Sequence, residues 1–181
     1  MWRRLMSRFT RSERGATAVE FALVAGPFFF LLGGIIETGI MLFTEYVLQN
    51  ATQTAARTIR TGQASSADGT PSMVAADFKA LICETVELVV DCNGKVTVYV
   101  DNGSDFVDLE GIMPEPLDIG PAADGTPYPE VFNPGARLRA ATVVATYDWD
   151  FAFSFLELLG NVNDNKARRV YGMAIFRNEP F

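Results

Sequence analysis

Residues 11–43 read RSERGATAVEFALVAGPFFFLLGGIIETGIMLF. From Phe21 to Ile36 the stretch carries no charge, and TGIMLF extends the apolar run to Phe43 with Glu37 and Thr38 as interruptions. About 20 such residues cross the hydrocarbon core of a bilayer as a helix, so a transmembrane helix over residues 21–43 is expected. A secretory signal peptide would have a shorter apolar core that ends in a small-residue cleavage site. Here the charged and polar ETGIMLFTEYVLQN follows instead.

The charge pattern orients that helix. The 181-residue chain has a net charge of −7, but Arg3, Arg4, Arg8, Arg11 and Arg14 against Glu13 give residues 1–15 a charge of +4 and leave −11 for the rest. Arginines that precede a span stay in the cytoplasm, which predicts a single-pass membrane protein with its N-terminus inside and everything beyond residue 43 exported. An acidic remainder cannot release counterions from a phosphate backbone, so nucleic acid is excluded as a partner. Histidine is absent, which removes the commonest general base and metal ligand and argues against an enzyme.

Glu20 stands at the entrance of the apolar run, where carrying an ionised side chain to mid-bilayer costs roughly 2.5–3.5 kcal/mol. A cation nearby would offset that cost. Cutting the chain between Gly15 and Ala16 would create one, because the new α-amino group lies four residues before Glu20 and so within reach on a helix, in this chain or a neighbour. Left uncut, the segment reads as a plain single-pass anchor whose Glu20 snorkels to the interface. Glu37, seventeen residues further on, sits roughly 25 Å along the helix and is placed at the outer interface. Gly26 and Pro27 invite a kink, and Ala18, Ala22 and Gly26 form a small-xxx-small series suited to close helix approach.

Past Phe43 the helix continues with a changed pattern. Leu48, Ala51, Ala55 and Ile59 recur at helical spacing, with Gln49, Gln53, Arg57 and Arg60 on the other side, an amphipathic stripe fit to pack on a globular head. Gly62 is placed to end the helix as a C′ residue. The chain therefore divides into a basic leader at 1–15, a long helix at 16–62 and a head at 63–181.

In the head, Met73–Cys83 reads as a second amphipathic helix behind a small polar linker with Pro71 at its front. Glu87–Val90 and Lys95–Asp101, joined by an Asn93-Gly94 turn, read as a hairpin. Arg137–Asp148 and Arg169–Arg177 supply two more strands, with a short helix at Asp150–Leu159 and a turn-rich GNVNDN after it. The fold class is α+β: a long N-terminal helix packed on a small antiparallel sheet with short helices.

Cys83 and Cys92 could close a short loop in an oxidising compartment or remain two buried thiols. No CxxC pattern supports zinc. The acids Asp101, Asp105, Asp108 and Glu110 lack the spacing and glycine of a calcium loop, and Asp148 and Asp150 around Trp149 read as surface acids, so no cofactor is expected.

RSERGATAVEFALVAG, with Gly15 before the cut, Glu20 as fifth residue of the product and Phe21 after it, resembles the processing site of type IVb prepilins. ICETVELVVDCNGKVTVYV and the terminal AIFRNEPF extend the resemblance to TadE-like proteins, the minor pseudopilins of the tight-adherence (Tad/Flp) pilus system. Residues 102–136 match nothing in that pattern.

The resemblance implies a pilin-like fold and a non-enzymatic role in assembly of an adhesive surface pilus. It implies cleavage at Gly15–Ala16 by a membrane aspartyl prepilin peptidase, other pilins and minor pilins as partners, and a disulfide between Cys83 and Cys92. The alternative is an uncleaved single-pass membrane protein whose periplasmic domain binds a partner.

Overall fold

The computed structural model describes residues 13–92, 95–162 and 166–181, with backbone alone at 13–16. Residues 1–12 of the expected leader, the Asn93-Gly94 turn and residues 163–165 of GNVNDN lie outside the described residues. The chain divides into two compact units, residues 1–39 and 40–181.

Helix α1 runs through Glu13–Arg60, 48 residues with Pro27 inside it. Within the first unit its apolar side chains are bare: Phe21 and Leu23 are 71% and 73% exposed, and Phe28, Phe29, Phe30 and Leu31 are also open. Glu20 is exposed, whereas Glu37 is buried. In the second unit the same helix buries Met41, Leu48, Ala51, Thr52, Ala55, Ala56 and Ile59, the stripe that the spacing predicts. Gly62 at φ 78° ends it. The Gly62 N–H donates to Ile59 O at 3.0 Å and the Gln63 N–H to Thr58 O at 2.9 Å, a Schellman closure that uses two otherwise unpaired carbonyls.

The head holds α2 (Ala75–Val86), β1 (Val96–Gly103), α3 (Phe106–Ile112), β2 (Val131–Phe132), β3 (Ala140–Asp150) and β4 (Ala167–Arg177). Single 3-10 turns lie at Pro116–Asp118 and Ser154–Leu159. The four strands form one sheet in the order β2-β1-β3-β4. β1, β3 and β4 are antiparallel neighbours, with Val96 opposite Tyr147 and Asp148 opposite Arg169. The architecture is α+β, a long helix packed on a small four-stranded sheet.

Both faces of the sheet are covered, which explains why Ala140–Thr146 is buried without alternation. On one face α1 and α2 close a large core: Leu48, Ala55 and Ile59 join Phe78, Ile82 and Val86 over Val100, Val143, Ala145 and Val170. On the other, Ile119, Tyr128 and Val131 cover Tyr99, Val144 and Met173. The second cover comes from residues 102–136, the stretch that lies outside the resemblance.

Helix and sheet approach closely at Gly172, where a Cβ would come within 2.7 Å of the Leu48 carbonyl oxygen and 2.8 Å of Gln49 Cα. Beside it the Gln49 side-chain amide donates to Met173 O at 2.9 Å and its oxygen accepts the Met173 N–H at 2.8 Å. One residue of the sheet's outer edge is thereby satisfied by a side chain acting as a strand would.

Three expectations are corrected. Glu87–Val90 is no strand: the Val89 and Val90 N–H groups both donate to Val86 O, and the segment turns back after α2. The reason is spacing, since Phe78, Ile82, Val86 and Val90 are all buried at intervals of four, so the helical stripe outlasts the helix and imitates a β-rich run. The sheet is also mixed. Its fourth strand is the two-residue β2, parallel to β1 at Tyr99 and Val100, within the stretch that lies outside the resemblance. The expected short helix at Asp150–Leu159 is the 3-10 turn Ser154–Leu159, because β3 continues to Asp150 before the chain bends.

Candidate functional site

Gly15, Ala16, Glu20 and Phe21 all fall on α1. Helical backbone places Ala16 and Glu20 one turn apart on the same face, and Glu20 and Phe21 are open to the surroundings. The geometry places a peptide bond, Gly15–Ala16, one turn ahead of a carboxylate at the mouth of an apolar helix. α1 is long and apolar enough to cross a membrane.

In the head, Cys83 and Cys92 form a disulfide with Cα atoms 5.7 Å apart. It ties the last turns of α2 to the chain just ahead of β1, and Cys92 is buried. By loop entropy, a bridge across so short a loop contributes roughly 2–3 kcal/mol.

Three of the acids that sequence spacing set aside have structural tasks. Asp105 caps α3, its carboxylate accepting the Val107 and Asp108 N–H groups at 3.0 and 2.9 Å. Asp108 accepts the Ser104 N–H at 2.8 Å and the Ser104 hydroxyl at 3.1 Å, and the backbone donor before the hydroxyl holds its carboxyl below the usual range. Asp101 accepts from the Tyr99 hydroxyl at 3.0 Å; burial first, then this bond and the Asp101 charge, raise the Tyr99 phenol well above its ordinary value. Among the described residues no group of three or more acids or cysteines converges as a metal site would.

Asp148 and Asp150 do not act as a pair. Asp148 is held by Arg169 in a two-pronged bridge, Nε to Oδ1 at 2.6 Å and Nη2 to Oδ2 at 2.7 Å, with both side chains largely buried. Arg169 also donates to Leu117 O and Pro121 O, each at 2.8 Å, and Asn161 fastens its backbone N–H at 2.7 Å. Gly120, at φ 155°, leaves room for the guanidinium, since a Cβ there would collide with it. This hub, which fixes the second cover on the sheet, went unrecognised in the sequence. The signal for it was an opposite-charge pair, but only the strand register reveals that Asp148 and Arg169 are opposite.

A groove of about 330 Å³ runs beside the half of β1 that β2 leaves uncovered, between Ala75–Lys79 and Pro127–Phe132. Its titratable side chains are Lys79, Tyr128 and Glu130, and they do not form an acid–base or nucleophile–base pair.

Residues 15–57 match the family of TadE-like proteins. The TadE-like segment thus begins at Gly15, takes in the whole apolar run and ends in the last buried turns of α1. No curated protein and no solved structure matches the chain.

Proposed function

We propose that this chain is a processed minor pilin of a Tad (Flp) type IVb pilus, a non-catalytic part that serves assembly of an adhesive surface fibre. Residues 1–15 are a leader that a prepilin peptidase removes at the inner face of the inner membrane. Residues 16–62 are the retained helix, spanning the membrane over about 21–43, and the head is periplasmic, within reach of other pilins and minor pilins. The observation that carries the reading is Glu20, an exposed acid one turn after the Gly15–Ala16 bond on a bare apolar helix, inside a segment that matches TadE-like proteins from residue 15.

The physical logic is charge neutralisation. Hydrolysis of the Gly15–Ala16 bond removes the arginines, which hold the chain's end at the cytoplasmic face, and leaves an ammonium group that can pair with a Glu20 carboxylate as helices bundle. The size of the head favours a minor component, because the major pilins of the Flp type that the sequence resembles are little more than the helix. The Cys83–Cys92 bridge suits an exported head, since disulfides persist in an oxidising compartment.

Intact mass of the purified chain, expressed with and without active prepilin peptidase, tests the proposal. The expected product begins at Ala16 when the peptidase is present, and Gly15→Leu keeps the leader on. A chain that retains residues 1–15 beside an active peptidase overturns the processed-pilin reading and leaves the uncleaved single-pass anchor.

A further inference from the structure

α1 and β4 run in the same direction through the second unit. They touch at Gln49 and Met173, and again where the Glu179 N–H donates to Arg60 O at 2.9 Å. Between these points lie about 16 Å of helix and about 20 Å of strand, so the two axes stay close to parallel. Followed the other way, six residues carry α1 back to Phe43, about 9 Å, and six carry β4 back to Ala167, about 20 Å. The Ala167 end of the sheet therefore reaches at least as far along α1 as Phe43, the last residue of the apolar run.

That end of the sheet gathers several pieces. It holds the end of β3 with the Ser154–Leu159 turn after it, the start of β1, and, ahead of β1, the Glu87–Val90 turn inside the loop that the Cys83–Cys92 disulfide closes. Two leucines stand almost wholly in the open there, Leu88 at 94% and Leu158 at 90% exposure, with Leu159 at 42%. On α1 at the same level Ile40, Leu42 and Phe43 are each about half exposed. Exposed leucines at loop tips are costly in water, and Glu87 and Glu157 beside them show that net positive charge is not what the surface offers. Yet two of the chain's three lysines, Lys95 and Lys166, stand exposed at the starts of β1 and β4, where long cationic side chains can reach lipid phosphates.

We propose that this end of the head docks on the lipid bilayer, with Leu88 and Leu158 seated in the headgroup–acyl boundary and Lys95 and Lys166 against the phosphates. The docking rests on the reading of α1 as a membrane span. It makes the head a second membrane contact, so that extracting the helix into a fibre must also lift two loops from the lipid.

The test uses the full chain in vesicles of phosphatidylethanolamine and phosphatidylglycerol, with lipids brominated high on the acyl chain as quencher. In a background with Trp2 and Trp149 changed to Phe, a single tryptophan is placed by Leu88→Trp, Leu158→Trp or Val107→Trp. Val107 is 78% exposed on α3, which follows the opposite end of β1, and is the control. Expected is quenching at 88 and 158 about twofold or more above that at 107, as for side chains roughly 5–10 Å into the boundary.

Alkaline extraction of the same vesicles separates the two readings. If the chain resists extraction and all three tryptophans respond alike, the span stands and the docking is overturned. If tryptophans at 88 and 158 shift to the blue without bromine quenching, protein covers them and the docking is again overturned. If alkali releases the chain, the span itself fails and the docking with it.

Discussion

The two faces of the head's sheet are closed by different means. Under α1 and α2 lies a continuous apolar core in which Leu48, Ile59, Phe78, Ile82, Val86, Val100 and Val143 are essentially without exposure. Under the cover formed by residues 102–136 the apolar cluster is smaller, built on Tyr99, Ile119 and Val144, and hydrogen bonds take a larger share of the attachment: Arg169 to Leu117 and Pro121, and the Thr146 hydroxyl to Ile119 O at 2.7 Å. A face closed by area loses stability in proportion to what is removed. A face closed by a few buried polar links fails at points, because each broken link leaves unpaired groups away from water.

The largest effect is accordingly expected on the polar face. Arg169→Met strands the Asp148 carboxylate and two carbonyls and should cost about 3–5 kcal/mol in chemical denaturation of the detergent-solubilised chain. Gly120→Ala, which drives a Cβ against the guanidinium, should be harmful alone but much less so in the Arg169→Met background. Simple additivity of the two would show that Gly120 is required by its backbone angle alone.

On the apolar face, Leu48→Ala should cost about 2–5 kcal/mol, the usual range for a filled core position. Leu31→Ala, on the bare part of α1 at 63% exposure, should leave unfolding of the head unchanged, as followed by the fluorescence of Trp149, which packs on the same core. Equal losses at 31 and 48 would mean that the apolar run contributes to the head's core and would blur the distinction between the two stretches of α1.

The same contrast governs what the sequence made readable. Leu48, Ala51, Ala55 and Ile59 announce a packed helix through their period, and Gly62 announces its end, because both signals are local. The proposed processing site rests on local signals too, since Gly15, Ala16 and Glu20 relate to one another through a single helical turn. The polar face has no such period: PLDIGPAADGTPYPEVF is broken by prolines and glycines, and its attachment depends on Arg169, some fifty residues away from Leu117 and Pro121 in sequence. Glu87–Val90 misled in the opposite way, as a helical interval of four continued through β-branched residues into a turn.

A finer comparison uses glycines. Gly172→Ala forces a Cβ against the backbone of α1 at Leu48 and Gln49, which cannot swing aside as a side chain would, so a loss of about 1–3 kcal/mol is expected from overpacking. Gly26→Ala, with nothing within 4 Å of the new Cβ, should leave the same denaturation curve in place. If Gly172→Ala proved neutral, the close approach of α1 to β4 would not be a tight constraint, and the Gln49 bridge to Met173 would be what sets their spacing.

The smallest effect concerns the loop that leads into α3. Hydrogen bonds from Ser104, the backbone N–H foremost, favour the ionised form of Asp108 and depress its pKa below 3.8. A depressed carboxylate contributes stability that is fully present above its unfolded pKa and is lost as pH falls through the folded one. The loop should therefore hold at neutral pH and loosen only in strong acid. The Ser104 amide resonance reports this directly: its titration midpoint should fall below that of an unperturbed aspartate, about 3.9. A midpoint at or above that value would mean the Ser104 bonds do not persist in solution, and the turn from β1 into the polar cover would then rest on the Asp105 cap alone.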